Sequence, residues 1–353
     1  MMKIDEERFL SDVENALRSC LQKVTFLKIE NVSRGVAEHD SGVDLIMNVR
    51  VGQKLQRLAI DAKSNGQPRV ARNAVYHLNR IYGGLSDVYC IFAAPYISPQ
   101  AAEICNREGV GYLDLAGNCH LNFKGVYIEQ GGKPNPFSEK RYLRSLYSPK
   151  AARVLGVLLN NPRVPWKVQA LADEAKVSLG QVSNVKTLLE NREWLITSNE
   201  GFLLSKPEEI LIEWSNNYSF KKNEAKNYYS LKSPAEIEAE LAEICERENF
   251  TYALTGFSGG ARYAPNVRYQ RAMAYVEAGL GEISSCLSLK EVSSGANITL
   301  AIPYDEGVFY GSRLIDEIQV ASPVQVYLDL ISIKGRGEEA ASSILEKVIN
   351  QTW

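Results

Sequence analysis

The sequence predicts a multidomain chain of mixed α/β and α+β class, and three observations predict it. A β-hairpin followed by alternating strand and helix signals fills the first third. Three helices and a short hairpin fill the middle, and helices mixed with short apolar strands fill the last third. Polar breaks at Gly131–Pro136 and Asn216–Asn227 divide the chain into domains at 1–135, 140–215 and 228–353.

The 353 residues, 45% hydrophobic and 23% charged, can form two or three globular domains and exclude a disordered chain. No apolar run reaches membrane-spanning length, and the start Met1–Arg8 is charged, unlike a secretion signal. A cytoplasmic protein with no membrane partner is the expectation. Six widely spaced cysteines and three histidines exclude a zinc cluster and predict buried, reduced thiols.

Residues 5–23 have the periodicity of an amphipathic helix. Two alternating runs, Gly42–Val51 and Lys54–Lys63, are joined at Gly52 and Gln53 and predict a hairpin. Asp44 lies near the start of its first strand, and Asp61-Ala-Lys63 closes the second. A strand over Val88–Ser98 and helices over Val70–Ile81 and Pro99–Glu108 follow. The acid, spacer and acid-x-Lys pattern resembles the PD-(D/E)xK restriction-endonuclease-like fold. That resemblance implies Asp44 and Asp61 as ligands of a catalytic Mg²⁺, with Lys63 positioning the attacking water and Glu14 or Glu30 as a further acid. If the domain is active, Asp44, Asp61 and Lys63 are catalytic. If not, it is a binding scaffold that needs no cofactor, which is the reading preferred from sequence. Asp114 and Asn118 flank Gly117 and predict a structural Asx turn, and His120 is an ordinary strand residue.

In the middle, Pro149–Asn160 has an apolar stripe, and Leu171, Ala172 and Ala175 line a short second helix. Ser178 and Gln181 form a capping-box start for a third, in which Val182, Val185 and Leu189 point inward. Its other face carries Gln181, Ser183, Asn184, Lys186 and Thr187, side chains suited to base edges and phosphates. Lys176 and Arg192 are expected near phosphates, and Asn199 and Glu200 mark a hairpin tip. From Lys140 to Lys206 stand eleven Lys or Arg against five acids, whereas the rest of the chain has 29 against 37. A net charge of −2 thus hides a basic middle, as DNA attraction requires. Helix, turn, helix and hairpin here resemble the winged-helix domains of bacterial transcription regulators, which bind double-stranded DNA as homodimers.

In the last third, Pro234–Arg247 is a periodic helix with an acidic face. Thr251–Thr255 then runs into Gly256-Phe-Ser-Gly-Gly-Ala-Arg262, a Gly-rich helix start similar to that of small nucleotidyltransferases, where such amides cradle phosphate. The following strand Ala272–Glu277 keeps only Glu277, so metal-dependent nucleotidyl transfer lacks its ligands. The blocks Tyr112-x-Asp-x-Ala-Gly-Asn118 and Ser322-Pro-x-Gln-x-Tyr-x-Asp-Leu330 resemble AbiE-type antitoxin regulators of type IV toxin–antitoxin systems. The resemblance implies a DNA-binding regulator that represses its own operon and neutralises a nucleotidyltransferase toxin. The enzyme alternative is a Mg²⁺-dependent nuclease targeted by the winged helix.

Overall fold

The computed structural model describes the chain except residues 1–5, 35–41, 137–145, 265–268, 278 and 334. Lys140, Arg141 and Arg144 of the basic count, and the first five residues, lie outside the described residues. Two compact units emerge: residues 1–141 with 190–193, and residues 142–189 with 194–353. The middle and last thirds, expected as separate domains, share one continuous hydrophobic core.

The first unit is built on a seven-stranded sheet in sequential order. Helix α1 (Glu6–Leu21) precedes β1 (Leu27–Arg34), β2 (Leu45–Val51) and β3 (Lys54–Ala62). Helix α2 (Pro68–Tyr82), β4 (Val88–Ala94), α3 (Pro99–Arg107), β5 (Gly111–Asp114), β6 (Cys119–Phe123) and β7 (Val126–Gln130) follow. Strands β3, β4 and β5 run parallel, and the remaining neighbours are antiparallel. A parallel pair needs a crossover, and α2 and α3 supply it. Alternation sorts the side chains between two cores: Leu58 and Ile60 join the α1 side, while Ala59 joins α2 and α3.

The Asx turn forms as expected. Asp114 is fully buried and accepts from the amides of Ile97 (3.2 Å) and Asn118 (2.8 Å) and from Asn118 Nδ2 (2.9 Å). Gly117 adopts φ 93° between them, a left-handed conformation that suits glycine. The cysteines are free thiols, five of them buried.

The second unit opens with α4 (Pro149–Asn160), α5 (Val168–Glu174) and α6 (Leu179–Asn191), then a hairpin of β8 (Leu195–Thr197) and β9 (Phe202–Leu204). Helix α5 closes through Lys176 at φ 52°, with Lys176 N on Asp173 O and Val177 N on Ala172 O, a Schellman closure without glycine. Gly201, at φ 150°, lies so close to Trp166 that a Cβ there would meet the Trp166 carbonyl oxygen at 2.5 Å. Helix α7 (Pro207–Asn217) leads on to β10 (Glu224–Tyr229) through a single helical turn at Phe220–Lys222. This stretch, read from sequence as a soft linker, is ordered by the core: Tyr218 OH donates to Asp329 Oδ1 at 2.5 Å.

Beyond it lie α8 (Pro234–Arg247), β11 (Tyr252–Leu254), α9 (Gly256–Tyr263), β12 (Ala272–Val276), α10 (Leu280–Cys286), β13 (Lys290–Glu291), β14 (Ile298–Ile302), β15 (Arg313–Ile315), β16 (Ile318–Val320), α11 (Pro323–Ile331) and α12 (Arg336–Ile344). Their mixed sheet runs β13-β10-β14-β12-β11-β16-β15. Ser233 and Glu236 close a reciprocal capping box at the start of α8. The Gly-rich start of α9 is packed into the core. Gly256, Ser258, Gly259 and Gly260 are buried, and a Cβ at 259 would meet Val326 of α11 at 2.8 Å. The glycines let α9 pack closely on α11, and Ser258 Oγ accepts the Met273 amide at 2.9 Å.

Candidate functional site

Two assemblies of side chains, one in each unit, match residues singled out from sequence. In the first unit the hairpin register is the organiser. Leu45 pairs with Ile60, so Asp44 falls beside Asp61 at the open end of the pair. The Asp44 amide donates to Ile60 O at 3.0 Å, and Asp44 Oδ2 accepts the Ala62 amide at 2.7 Å. Parity then places Ala59, Asp61 and Lys63 on the α2 side of the sheet. Lys63 Nζ touches Asp61 Oδ1 and lies 3.7 Å from Asp44 Oδ2.

The Asp61 side chain is 1% exposed, and neither carboxylate oxygen receives a hydrogen bond of good geometry. Burial raises its pKa above the usual carboxylate range, and Lys63 opposes that rise. Burial alone would lower the Lys63 ammonium, but the Asp61 and Asp44 charges hold it above its ordinary value. His77 of α2, missed from sequence, lies 3.7 Å from Asp61 Oδ2 through Nδ1. Its only sequence signal was a helical position beside the buried Ala74 and Leu78. The acids considered as additions lie elsewhere. Glu14 pairs with Arg18 (2.8 Å) and Arg34 (3.5 Å), and Glu30 pairs with Arg50 (2.5 Å).

The donor set fits a hard divalent cation sparingly. Two carboxylates converge, and the orphaned oxygens of Asp61 are acceptors that a cation would satisfy, with water completing the shell as Mg²⁺ prefers. No group of three or more His, Cys, Asp or Glu able to hold a metal occurs among the described residues.

In the second unit, α6 presents the face read as DNA-binding. Val182, Val185, Leu188 and Leu189 are buried, while Ser183, Asn184 and Thr187 are exposed. The Gln181 amide donates to Ser178 Oγ at 3.3 Å, so Ser178 caps the helix. Gln181 and Lys186 are half-buried, with Lys186 Nζ 5.6 Å from the Phe202 ring centroid of the hairpin. Lys176 is exposed at the α5–α6 turn. Arg192, just past the helix and grouped with the first unit, departs from expectation: it is buried, with 8% of its surface exposed. Asn199 and Glu200 are exposed at the hairpin tip, where Ser198 Oγ accepts the Glu200 amide at 3.2 Å.

The Ser322-to-Leu330 block is structural. Ser322 Oγ caps α11 by accepting the Gln325 amide at 3.2 Å. Asp329 is buried at the centre of a polar network, accepting from Tyr218, Tyr275 (2.9 Å), Thr255 and Gln325 (3.2 Å). Burial raises its pKa to about 6 against the opposing pull of those donors.

Residues 203–350 match a family model described as a transcriptional regulator, the AbiEi antitoxin of type IV toxin–antitoxin systems. Over that span the likeness to AbiE-type antitoxins read from sequence holds. No curated protein matches the chain. Among solved structures, one titled "Structure of EndoMS in apo form" is similar at 14% identity, covering 29% of this chain and 44% of that one with a TM-score of 0.19. No helix among the described residues is long and apolar enough to cross a membrane.

Proposed function

With residues 203–350 in the AbiEi antitoxin family, we propose that the chain is a DNA-binding regulator whose segment 149–204 is a winged helix that represses its own operon. The observation that carries this reading is the face of α6. Ser183, Asn184 and Thr187 are exposed on a capped helix whose opposite side is wholly apolar and buried. Short donor and acceptor side chains on a helix of this kind reach base edges in a major groove, and exposed Lys176 adds phosphate attraction. The C-terminal sheet and helices would then engage a nucleotidyltransferase toxin, with a homodimer on the operator.

The test is fluorescence anisotropy on the DNA immediately upstream of the gene, at several salt concentrations. Affinity is expected to fall linearly with log salt. Asn184→Ala with Thr187→Ala should lose about tenfold or more on that DNA and little on unrelated DNA. Lys176→Gln should weaken both alike and reduce the salt slope by about 1. Unchanged binding in all three variants would refute the assigned face.

One observation favours a second reading, a Mg²⁺-dependent DNA nuclease: the register-driven convergence of Asp44, Asp61 and Lys63 around a buried carboxylate with no hydrogen bond of good geometry. Asp44 and Asp61 would hold the ion, which when bound would activate water and neutralise phosphate charge. Lys63 opposes the rise that burial imposes on the Asp61 pKa and holds a proton beside it. Purified protein incubated with DNA and Mg²⁺ separates the readings, because only a nuclease yields cleavage that Asp61→Ala abolishes.

A further inference from the structure

Cys20 and Cys119 stand 99 residues apart in sequence, yet their sulfurs touch at 3.7 Å. Cys20 lies in the last turn of α1, and Cys119 opens β6 immediately after the Asp114–Asn118 turn. Both belong to the apolar core on the α1 side of the sheet, Cys119 fully buried and Cys20 with 7% of its surface exposed. Thiols in such a core ordinarily behave as small, inert hydrophobes. Burial pushes the thiols of Cys90, Cys105 and Cys245 up in that way.

The touching pair has a different electrostatic setting. Lys23 is exposed just past α1. Lys133, beyond β7, is tied to the turn before Cys119: its amide donates to Asn118 Oδ1 at 2.9 Å, and Asn118 Nδ2 donates to Lys133 O at 3.2 Å. A Cβ at Gly117 would meet Lys133 Nζ at 2.5 Å, so the ammonium lies over that turn. Hydrogen bonding with Cys119 draws the Cys20 thiol down to about 7 against the opposing effect of burial, and the charges of Lys23 and Lys133 assist. The same hydrogen bond, with burial, pushes the Cys119 thiol up. One sulfur thus carries negative charge near neutral pH while its neighbour keeps a proton. A nucleophilic thiol and a resolving thiol divide their roles in this manner.

We propose that Cys20 and Cys119 form a reversible oxidation site, closed to an intrachain disulfide by hydrogen peroxide. Peroxide is small enough to meet Cys20 at its exposed edge. The Cys20 thiolate attacks one peroxide oxygen: the S–O bond forms, the O–O bond breaks, and the departing hydroxide is protonated to water. The Cys119 sulfur then attacks Cys20 Sγ: the S–S bond forms, the S–O bond breaks, and the second hydroxide leaves with the Cys119 proton as water. Two electrons pass from the sulfurs to peroxide, and a dithiol returns them. The sulfurs close to about 2.0 Å, an adjustment that the terminal turn of α1 can absorb. The site depends on neither reading of function given above.

Peptide mapping of the full chain after peroxide, with remaining thiols alkylated, tests it, and thermal melting is the second readout. One peptide pair joined through Cys20 and Cys119 is expected, with a melting temperature about 5 °C or more above that of the reduced chain. Dithiothreitol should reverse both. Cys119→Ser should accumulate a Cys20 sulfenic acid that dimedone traps, whereas Cys20→Ser should leave Cys119 unmodified. Lys133→Gln should slow the reaction at Cys20 severalfold, and Cys286→Ser should change nothing. Cys20 and Cys119 both recovered as free, alkylated thiols from the peroxide-treated parent would overturn the proposal. So would linkage through Cys286 alone, or dimedone labelling of Cys119 in Cys20→Ser.

Discussion

Asp61 and Asp329 are both buried carboxylates, yet their surroundings are opposite. Asp329 lies among neutral donors, with Tyr218, Tyr275, Thr255 and Gln325 all aimed at its two oxygens. Asp61 has no well-formed hydrogen bond and depends on one ammonium, that of Lys63. A carboxylate whose acceptors are saturated by the fold has nothing left to offer a ligand. One that is orphaned beside a cation and at a strand end costs stability and keeps free coordination capacity. The first is architecture, and the second leaves acceptors that its own fold does not saturate.

The largest test of this contrast removes Asp329. Asp329→Leu leaves several buried donors without an acceptor, and the second unit should lose on the order of 3–5 kcal/mol in urea unfolding. A loss under about 1 kcal/mol would mean that the network contributes little.

Acidity offers the next test, and its sign follows from the raised pKa. Folded Asp329 holds its proton up to about pH 6, whereas its ordinary value is 3.8. Between those values the folded state binds more protons than the unfolded one, so this stabilising contribution is complete below about pH 4 and lost as pH rises through 6. The size is roughly 3 kcal/mol at 1.36 kcal/mol per pKa step. Stability measured from pH 4 to 7 should carry this falling component in the parent, and Asp329→Asn should lack it.

The two carboxylates were unequally legible in the sequence. The Asp61-x-Lys63 pattern and its hairpin partner Asp44 are close in the chain, and register alone joins them, so alternation exposed the cluster. His77 reaches the site only through the packing of α2, which no local pattern encodes. Asp329 was visible as part of a family block, and its spacing four residues after Gln325 on an otherwise apolar helix marks a buried polar pair. Its other donors come from Tyr218, Thr255 and Tyr275, which lie 54 to 111 residues away. The same remoteness disguised Asn216–Asn227 as a linker: its composition is polar, but Tyr218 is spent inside the core. The glycines of α9 are ambiguous in sequence for a related reason, since a close helix contact and a phosphate turn demand the same absent Cβ. Arg192 was assigned by its charge alone, and burial decided otherwise.

Asp61→Asn should act in the opposite direction to Asp329→Leu. Replacing a desolvated charge by a neutral amide removes the burial penalty but also the Lys63 pair, so the first unit should keep its stability or gain about 1 kcal/mol. Mg²⁺ should raise the melting temperature of the parent and not of this variant, by linkage to a site that the substitution removes. A destabilisation of several kcal/mol would instead place Asp61 with Asp329, as architecture.

The smallest effect separates donors within the Asp329 network. Tyr218→Phe removes one hydroxyl while keeping the ring, so the remaining donors still serve the carboxylate. The cost should be about 1–2 kcal/mol, measured by urea unfolding. Tyr218 is also one of the groups pulling the Asp329 pKa down, so its loss should move the acid-side stability change to higher pH. A stability loss without that movement would assign Tyr218 to packing of the α7 exit rather than to the charge it faces.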